Sequence, residues 1–202
     1  LERLEKVTTL VVDKTGTLTV GKPTLHAVVS NDGYDEKSIL LYASSIEQGS
    51  EHPLAAAIVA GAREKGVTPG NAEDFQSRTG KGVVGKVDGH VVALGNQALL
   101  DELNIDPGGL SSKAEELRKD GQTMMFVAVD GKAAGLLGVA DPIKDTTAEA
   151  IRQLHEEGVR IVMLTGDNKT TAEAVSKKLG IDEVIAGVLP DQKAETVKRL
   201  QG

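Results

Sequence analysis

The amino-acid sequence predicts an α/β protein in which a parallel-sheet domain, assembled from both ends of the chain, carries an inserted α+β domain with an antiparallel sheet. Three observations support this. Apolar runs at Val7–Val12 and Val159–Leu164 are continuous, as strands buried on both faces are. Helical spacing brackets the second run, at Thr146–Glu157 and Thr170–Leu179. Between the two runs, two pairs of alternating segments are each joined by Asp-Gly, the strongest short hairpin signal.

Taken in chain order, the first strand runs into Asp13 and a loop made almost wholly of Thr and Gly up to Thr19. Past Gly21-Lys22-Pro23, the segments Asp35–Glu47 and Pro53–Lys65 place Ile39, Leu40, Ala43 and Ile46, then Leu54, Ile58 and Ala62, at helical intervals. Val83–Val87 and His90–Leu94 flank the turn Asp88-Gly89, and Met125–Val129 and Lys132–Leu137 flank Asp130-Gly131. Asp106-Pro107-Gly108-Gly109 reads as an ordinary turn, and Ala114–Lys119 as a solvated helix face. After Asp141-Pro142 come the helix–strand–helix of the second apolar run, a short strand Glu183–Ala186 and a helix Asp191–Leu200. The expected division is residues 1–22 with 141–202 as one discontinuous domain and 23–140 as the insert. The two connections should lie side by side as a hinge whose prolines limit its swing.

Composition narrows the function. A net charge of -7 with no basic face argues against nucleic acid as a partner. With no cysteine there are no disulfides and no thiolate metal site. Aromatics are scarce, with two Tyr, two Phe and no Trp, so the core falls to Val, Leu, Ile and Ala. Apolar runs such as Leu54–Ala62 are far shorter than the roughly 20 residues of a membrane helix, so no direct membrane insertion is expected. No signal peptide is visible, and the abrupt start at Leu1 reads as that of a piece excised from something larger.

In an open parallel sheet, ligands gather off the carboxyl ends of the strands. Asp13 stands at one such end, and Asp167, within Thr165-Gly166-Asp167-Asn168, closes the strand ending at Leu164. Either aspartate alone is better explained as a loop acid or a helix cap. Two converging ends favour chemistry. A carboxylate beside Lys14 and the amides of a Thr/Gly loop could attack phosphorus. Thr165 would offer its hydroxyl and amide to phosphate oxygens, and Lys193 would offset developing negative charge.

Those same residues carry a resemblance. Asp13–Thr19, DKTGTLT, is similar to the phosphorylation sequence of the P-type ATPases, members of the haloacid-dehalogenase superfamily. Thr165–Asn168 resembles their TGDN segment, Lys193 the superfamily lysine, and Ser50-Glu51-His52-Pro53 the nucleotide-domain motif of the heavy-metal-transporting subgroup. The resemblance covers essentially the whole chain. It implies a haloacid-dehalogenase-like phosphorylation domain, truncated and split in two, around an α+β nucleotide-binding domain. It further implies ATP and Mg2+ as cofactors, and actuator and transmembrane domains of a parent chain as partners. The chain would then be monomeric cytoplasmic portions of a membrane-embedded transporter, with copper(I) as the expected cargo. Phosphatases of the superfamily carry an aspartate two residues after the nucleophile, as general acid and base. Here Thr15 stands there, a poor base at neutral pH, so the aspartyl phosphate should persist. No Thr-Gly-Glu, the actuator's hydrolytic motif, occurs in the chain.

The implied ATP contacts are Glu47, His52, Gly80, Gly82, Val83, Gly95 and Asn96. His52 precedes Pro53, so extended backbone leads into a helix with proline at its first position. From the residues alone, His52 is as readily a plain cap as an adenine contact, and Glu47 a solvated helix-end acid; the resemblance turns both toward the base. Gly80-Lys81-Gly82-Val83-Val84-Gly85 has GxGxxG spacing but opens a hairpin, so it is a false dinucleotide fingerprint. Its bare glycines instead suit close approach to a flat base or phosphate. Gly95-Asn96 resembles the family's GN contact. His26, His90 and His155 show no ligand spacing.

One family element is missing. The second magnesium stretch, GDGxND, would follow the last helix, and the chain stops at Gly202. Magnesium would rest on the Asp13 carboxylate, the Thr15 carbonyl and water, the sheet would lack its final strands, and the chain would bind ATP but phosphorylate itself poorly. Three other readings compete. A zinc, cadmium or lead pump shares the nucleotide motifs. A free-standing superfamily phosphatase is opposed by Thr15, and a non-catalytic nucleotide sensor by intact Asp13, Thr165 and Lys193.

Overall fold

A computed structural model describes residues 7–201. In chain order the described residues form β1 (Thr9–Asp13), β2 (Thr24–Ser30), α1 (Glu36–Glu47), α2 (Pro53–Glu64), β3 (Ala72–Arg78), β4 (Gly82–Val87) and β5 (His90–Gly95). There follow α3 (Gln97–Glu102), α4 (Leu110–Arg118), β6 (Thr123–Val129), β7 (Lys132–Ala140) and α5 (Thr147–Glu156). The chain closes with β8 (Arg160–Leu164), α6 (Lys169–Leu179), β9 (Glu183–Ile185) and α7 (Lys193–Gln201). Contacts divide it into two compact units, one of residues 1–22, 119–121 and 141–202, the other of 23–118 and 122–140.

In the first unit β1, β8 and β9 form a parallel sheet in that order. β1 pairs with β8 from Thr9 opposite Arg160 to Asp13 opposite Leu164, so the two carboxyl ends finish level. Leu18, Ile151, Ile161, Met163, Ala172, Val175 and Leu179 make its core. α6 starts where Asn168 Oδ1 accepts the Thr170 amide at 2.8 Å, and Gly180 ends it in left-handed conformation.

The second unit is a six-stranded antiparallel sheet, ordered β2-β7-β6-β5-β4-β3, with helices on both faces. Alternation along the strands separates two cores. Val127, Val129, Val92 and Leu94 pack with Ile39, Leu40, Ile46 and Ile58 of α1 and α2. Phe126, Ala128, Ala93 and Leu136 pack with Leu99, Leu100, Leu110 and Ala114 of α3 and α4. Each fully buried Ile or Leu is worth roughly 1.5–3 kcal/mol over leaving it exposed, so the aliphatic core replaces the missing aromatics. Asp35 caps α1, accepting the Ser38 amide at 2.7 Å.

Ala114–Lys119 differs from its expectation as a solvated face. Ala114 is fully buried, and Arg118 is nearly so, its guanidinium carbon 6.0 Å from the Phe126 ring centre. Long basic side chains can lay their stems on apolar surface, which a count of charges does not reveal.

Candidate active site

The first unit brings Asp13, Lys14, Thr165, Asp167 and Lys193 together, because the register of β1 and β8 ends both strands at one level. Lys193, at the start of α7, donates from Nζ to Asp13 Oδ2 at 2.7 Å. That pair remains partly open to solvent. Lys14 turns away from Asp13, and its buried ammonium pairs with Asp167 Oδ2. The Thr165 hydroxyl donates to the same oxygen at 3.1 Å, while the Asp167 amide donates to Thr165 Oγ1 at 3.2 Å. Gly166 stands exposed in the turn between them.

Two expectations change here. Lys14 neutralises Asp167, and the cation on Asp13 is Lys193. The donors of Thr165 are engaged inside the protein, the amide with the Ile185 carbonyl at 3.0 Å and the hydroxyl with Asp167. The amide extends the β8–β9 ladder, and turning it toward a phosphate would cost that hydrogen bond.

The loop after Asp13 is a type II turn, with Thr15 at φ -73, ψ 123 and Gly16 at φ 77, ψ -15. The positive φ is why glycine stands there. Three residues without a role in the sequence analysis hold this loop. Thr19 Oγ1 accepts the Gly16 amide at 3.2 Å and lies 2.5 Å from Asp141 Oδ2. Asp141 also accepts the Gly21 amide at 2.9 Å and the Lys22 amide at 3.1 Å, so the two connections do run side by side. Lys144 Nζ donates to the Gly16 carbonyl at 2.7 Å. The sequence signals were the place of Thr19 at the end of the Asp13–Thr19 motif and the Asp141-Pro142 pair, read as a hinge.

In the second unit, His52 caps α2, its Nδ1 accepting the Leu54 amide at 3.2 Å. That bond leaves Nε2 to carry the ring proton outward from an exposed position. Glu47, at the end of α1, is 4% exposed, and its Oε2 has no hydrogen-bond partner. It is therefore not a solvated helix-end acid. Burial pushes its carboxyl above the ordinary value of 4.5, against a smaller opposing hydrogen bond from Ser50. The folded state thus holds a proton that the unfolded chain releases first, and stability falls as pH rises above 4.5. Glu47→Gln should raise the thermal midpoint at neutral pH, with the gain shrinking as pH falls toward that value; melts across this range check it.

Gly82 and Gly95 sit opposite each other where β4 pairs with β5. A Cβ on Gly82 would lie 2.2 Å from the Leu94 carbonyl oxygen, and one on Gly95 2.2 Å from that of Lys81. Strand packing alone therefore demands both glycines. Asn96 caps α3 through Oδ1 to the Leu99 amide at 3.2 Å and donates from Nδ2 to the Gly80 carbonyl at 2.8 Å, fastening the Gly80 turn. Val83 is buried in the core under α1 and α2, so only its backbone is left for a ligand.

Among the described residues no three acidic or imidazole side chains gather to hold a metal, and no helix is long and apolar enough to cross a membrane. The Asp13 carboxylate and Thr15 carbonyl are hard oxygen donors. They fit magnesium, which keeps most of its waters and binds through one or two carboxylates and substrate phosphates.

A family profile described as haloacid dehalogenase-like hydrolase matches residues 7–202. A copper-transporting P-type ATPase of Rhizobium leguminosarum bv. viciae is 55% identical over 201 residues, covering 100% of this chain and 24% of its own length. The chain thus spans about a quarter of the length of the curated relatives it matches. Among solved structures, the catalytic domain of the CPx-ATPase CopB-B, studied for its conformational changes upon nucleotide binding, superposes with a TM-score of 0.74 at 26% identity, over 99% of this chain and 69% of its own. A zinc-transporting PIB-type ATPase in its E2.Pi state gives 0.67 at 35% identity, over 99% of this chain and 32% of that one.

Proposed function

Because the chain belongs to the haloacid dehalogenase-like hydrolase family, we propose that it is the ATP-binding and aspartyl-phosphorylation portion of a heavy-metal P-type ATPase that exports copper(I). The observation that carries this is the Asp13 carboxylate at the end of β1, partly solvent-exposed and held by Lys193 at 2.7 Å. The first unit is then the phosphorylation domain and the second the nucleotide-binding domain, both on the cytoplasmic side of the parent transporter.

With Oδ2 on Lys193, Oδ1 of Asp13 attacks the γ-phosphorus of ATP. A P–O bond to Asp13 forms, the bond to the β-phosphate oxygen breaks, and ADP leaves. Lys193 spreads the developing charge. The buried Lys14–Asp167 pair, with Thr165, keeps the TGD turn rigid beside the nucleophile. The Asp13 carboxylate and Thr15 carbonyl would hold magnesium, which when bound would further neutralise phosphate charge. In the second unit, His52 Nε2 lies against the base, and Glu47, buried in the free protein, accepts from the adenine amino group once its side chain turns outward. Gly80, Gly82, Val83, Gly95 and Asn96 shape the floor through their backbones. Copper is favoured by the name of the 55% identical relative, against zinc for the 35% identical structure.

The test is labelling of the full-length protein with γ-labelled ATP and magnesium, followed by acid precipitation. Label near one phosphate per chain, removed by hydroxylamine and mapping to the Asp13 peptide, is the expected result. Hydroxylamine-stable label, or label on another peptide, would sink the assignment.

A further inference from the structure

The turn that follows the nucleophile has a choice to make. Type I and type II turns differ chiefly by a flip of the central peptide, here the one joining Thr15 to Gly16, and glycine at the third position makes the type II form accessible. That peptide is trans and planar, so its Thr15 carbonyl points opposite to its Gly16 N–H. Whatever holds the N–H therefore aims the carbonyl.

We propose that Thr19 and Asp141 are positioning residues that hold this peptide so that the Thr15 carbonyl is presented as a magnesium ligand; the inference rests on the phosphorylation reading above. The Gly16 N–H donates to Thr19 Oγ1 at 3.2 Å. A hydroxyl has one proton, and two acceptors compete for it: Asp141 Oδ2 at 2.5 Å and the Lys14 carbonyl at 3.2 Å. The carboxylate is nearer and charged, so it takes the proton and turns the Thr19 lone pairs toward Gly16. Asp141 is itself fixed by the amides of Gly21 and Lys22. On the other side of Gly16, Lys144 Nζ pins the next carbonyl at 2.7 Å. The Gly16 carbonyl is thus held by a residue 128 positions away, and the Gly16 amide by Thr19 three positions on, itself fixed by Asp141 at a separation of 122 positions, a relay running from Asp141 through Thr19 to the Gly16 amide.

Three variants test it: Thr19→Val removes the hydroxyl at nearly constant shape, Thr19→Ser keeps it, and Asp141→Asn offers an amide that can donate and reverse the hydroxyl. Thr19→Val and Asp141→Asn should raise amide hydrogen exchange at Gly16 in the isolated chain about tenfold, the worth of one hydrogen bond. In the full-length protein the magnesium concentration for half-maximal phosphorylation should rise by about the same factor, with ATP affinity changed by less than about twofold because the nucleotide contacts are assigned to the other unit. Thr19→Ser should restore both. A merely structural loss would not be rescued by serine or leave ATP affinity intact. Unchanged exchange at Gly16 overturns the relay. Raised exchange with unaltered magnesium dependence overturns its role in presenting the carbonyl. Wild-type protein that takes up no label while the exchange responds overturns the phosphorylation reading, and the magnesium role with it.

Discussion

Asp13→Asn should abolish the acid-stable phosphoenzyme of the full-length protein, a fall on the order of 10⁴-fold or more, since a carboxamide does not attack phosphorus and removing a nucleophile costs at least this much elsewhere. The substitution should not unfold the protein. Asp13 and Lys193 are each about a third or more exposed, and such a pair contributes about 0–1 kcal/mol. Asparagine can still accept from Lys193 through its amide oxygen. ATP binding, which is assigned to the second unit, should be unchanged by calorimetry. The comparison thus separates the phosphoryl acceptor from the nucleotide site. A variant that folds, binds ATP and still carries hydroxylamine-sensitive label would show that another residue takes the phosphoryl group.

Much of the frame behind this expectation was legible in local sequence. β1 and β8 were visible because parallel strands covered on both faces must be apolar throughout. The Asp-Gly turns were visible because their backbone demands those residues: Asp88 and Asp130 both take positive φ. β2 and β3 were not visible. They are the edges of the six-stranded sheet, and β3 is exposed almost throughout, so burial imposes no alternation on it. α3 is too short for periodicity to show.

The candidate site divides the same way. Asp13, Asp167 and Lys193 could be named from motifs, but their partners could not. Lys14 follows Asp13 directly in sequence, yet just past the end of β1 it meets Asp167 and leaves Asp13 to Lys193, a pairing that only the fold decides. Asp141 reaches Thr19 across 122 positions, a separation no local pattern spans. Glu47 looked like a helix-end acid because its burial depends on what packs above α1. Gly82 and Gly95 looked like ligand glycines, yet each already answers to the strand opposite.

The residue at position 15 decides how long the phosphoryl group stays. Thr15 lies exposed in the turn, so an aspartate there stays hydrated and ionised without a burial cost. Thr15→Asp should shorten the lifetime of the phosphoenzyme by about 10²–10⁴-fold, the usual worth of a positioned general base. The new charge also repels the incoming phosphate, and the two lysines at the nucleophile are already paired with carboxylates, Lys14 with Asp167 and Lys193 with Asp13. Formation should therefore slow as well, and steady-state label alone would confuse the two effects. A chase with unlabelled ATP isolates the decay, and Thr15→Asn, equal in shape but no base, should decay at the wild-type rate. If aspartate and asparagine decay alike, persistence of the phosphoryl group does not come from the weakness of Thr15 as a base. The cause would then lie in the exclusion of water from Asp13, and the absence of a carboxylate at position 15 would be incidental to the chemistry.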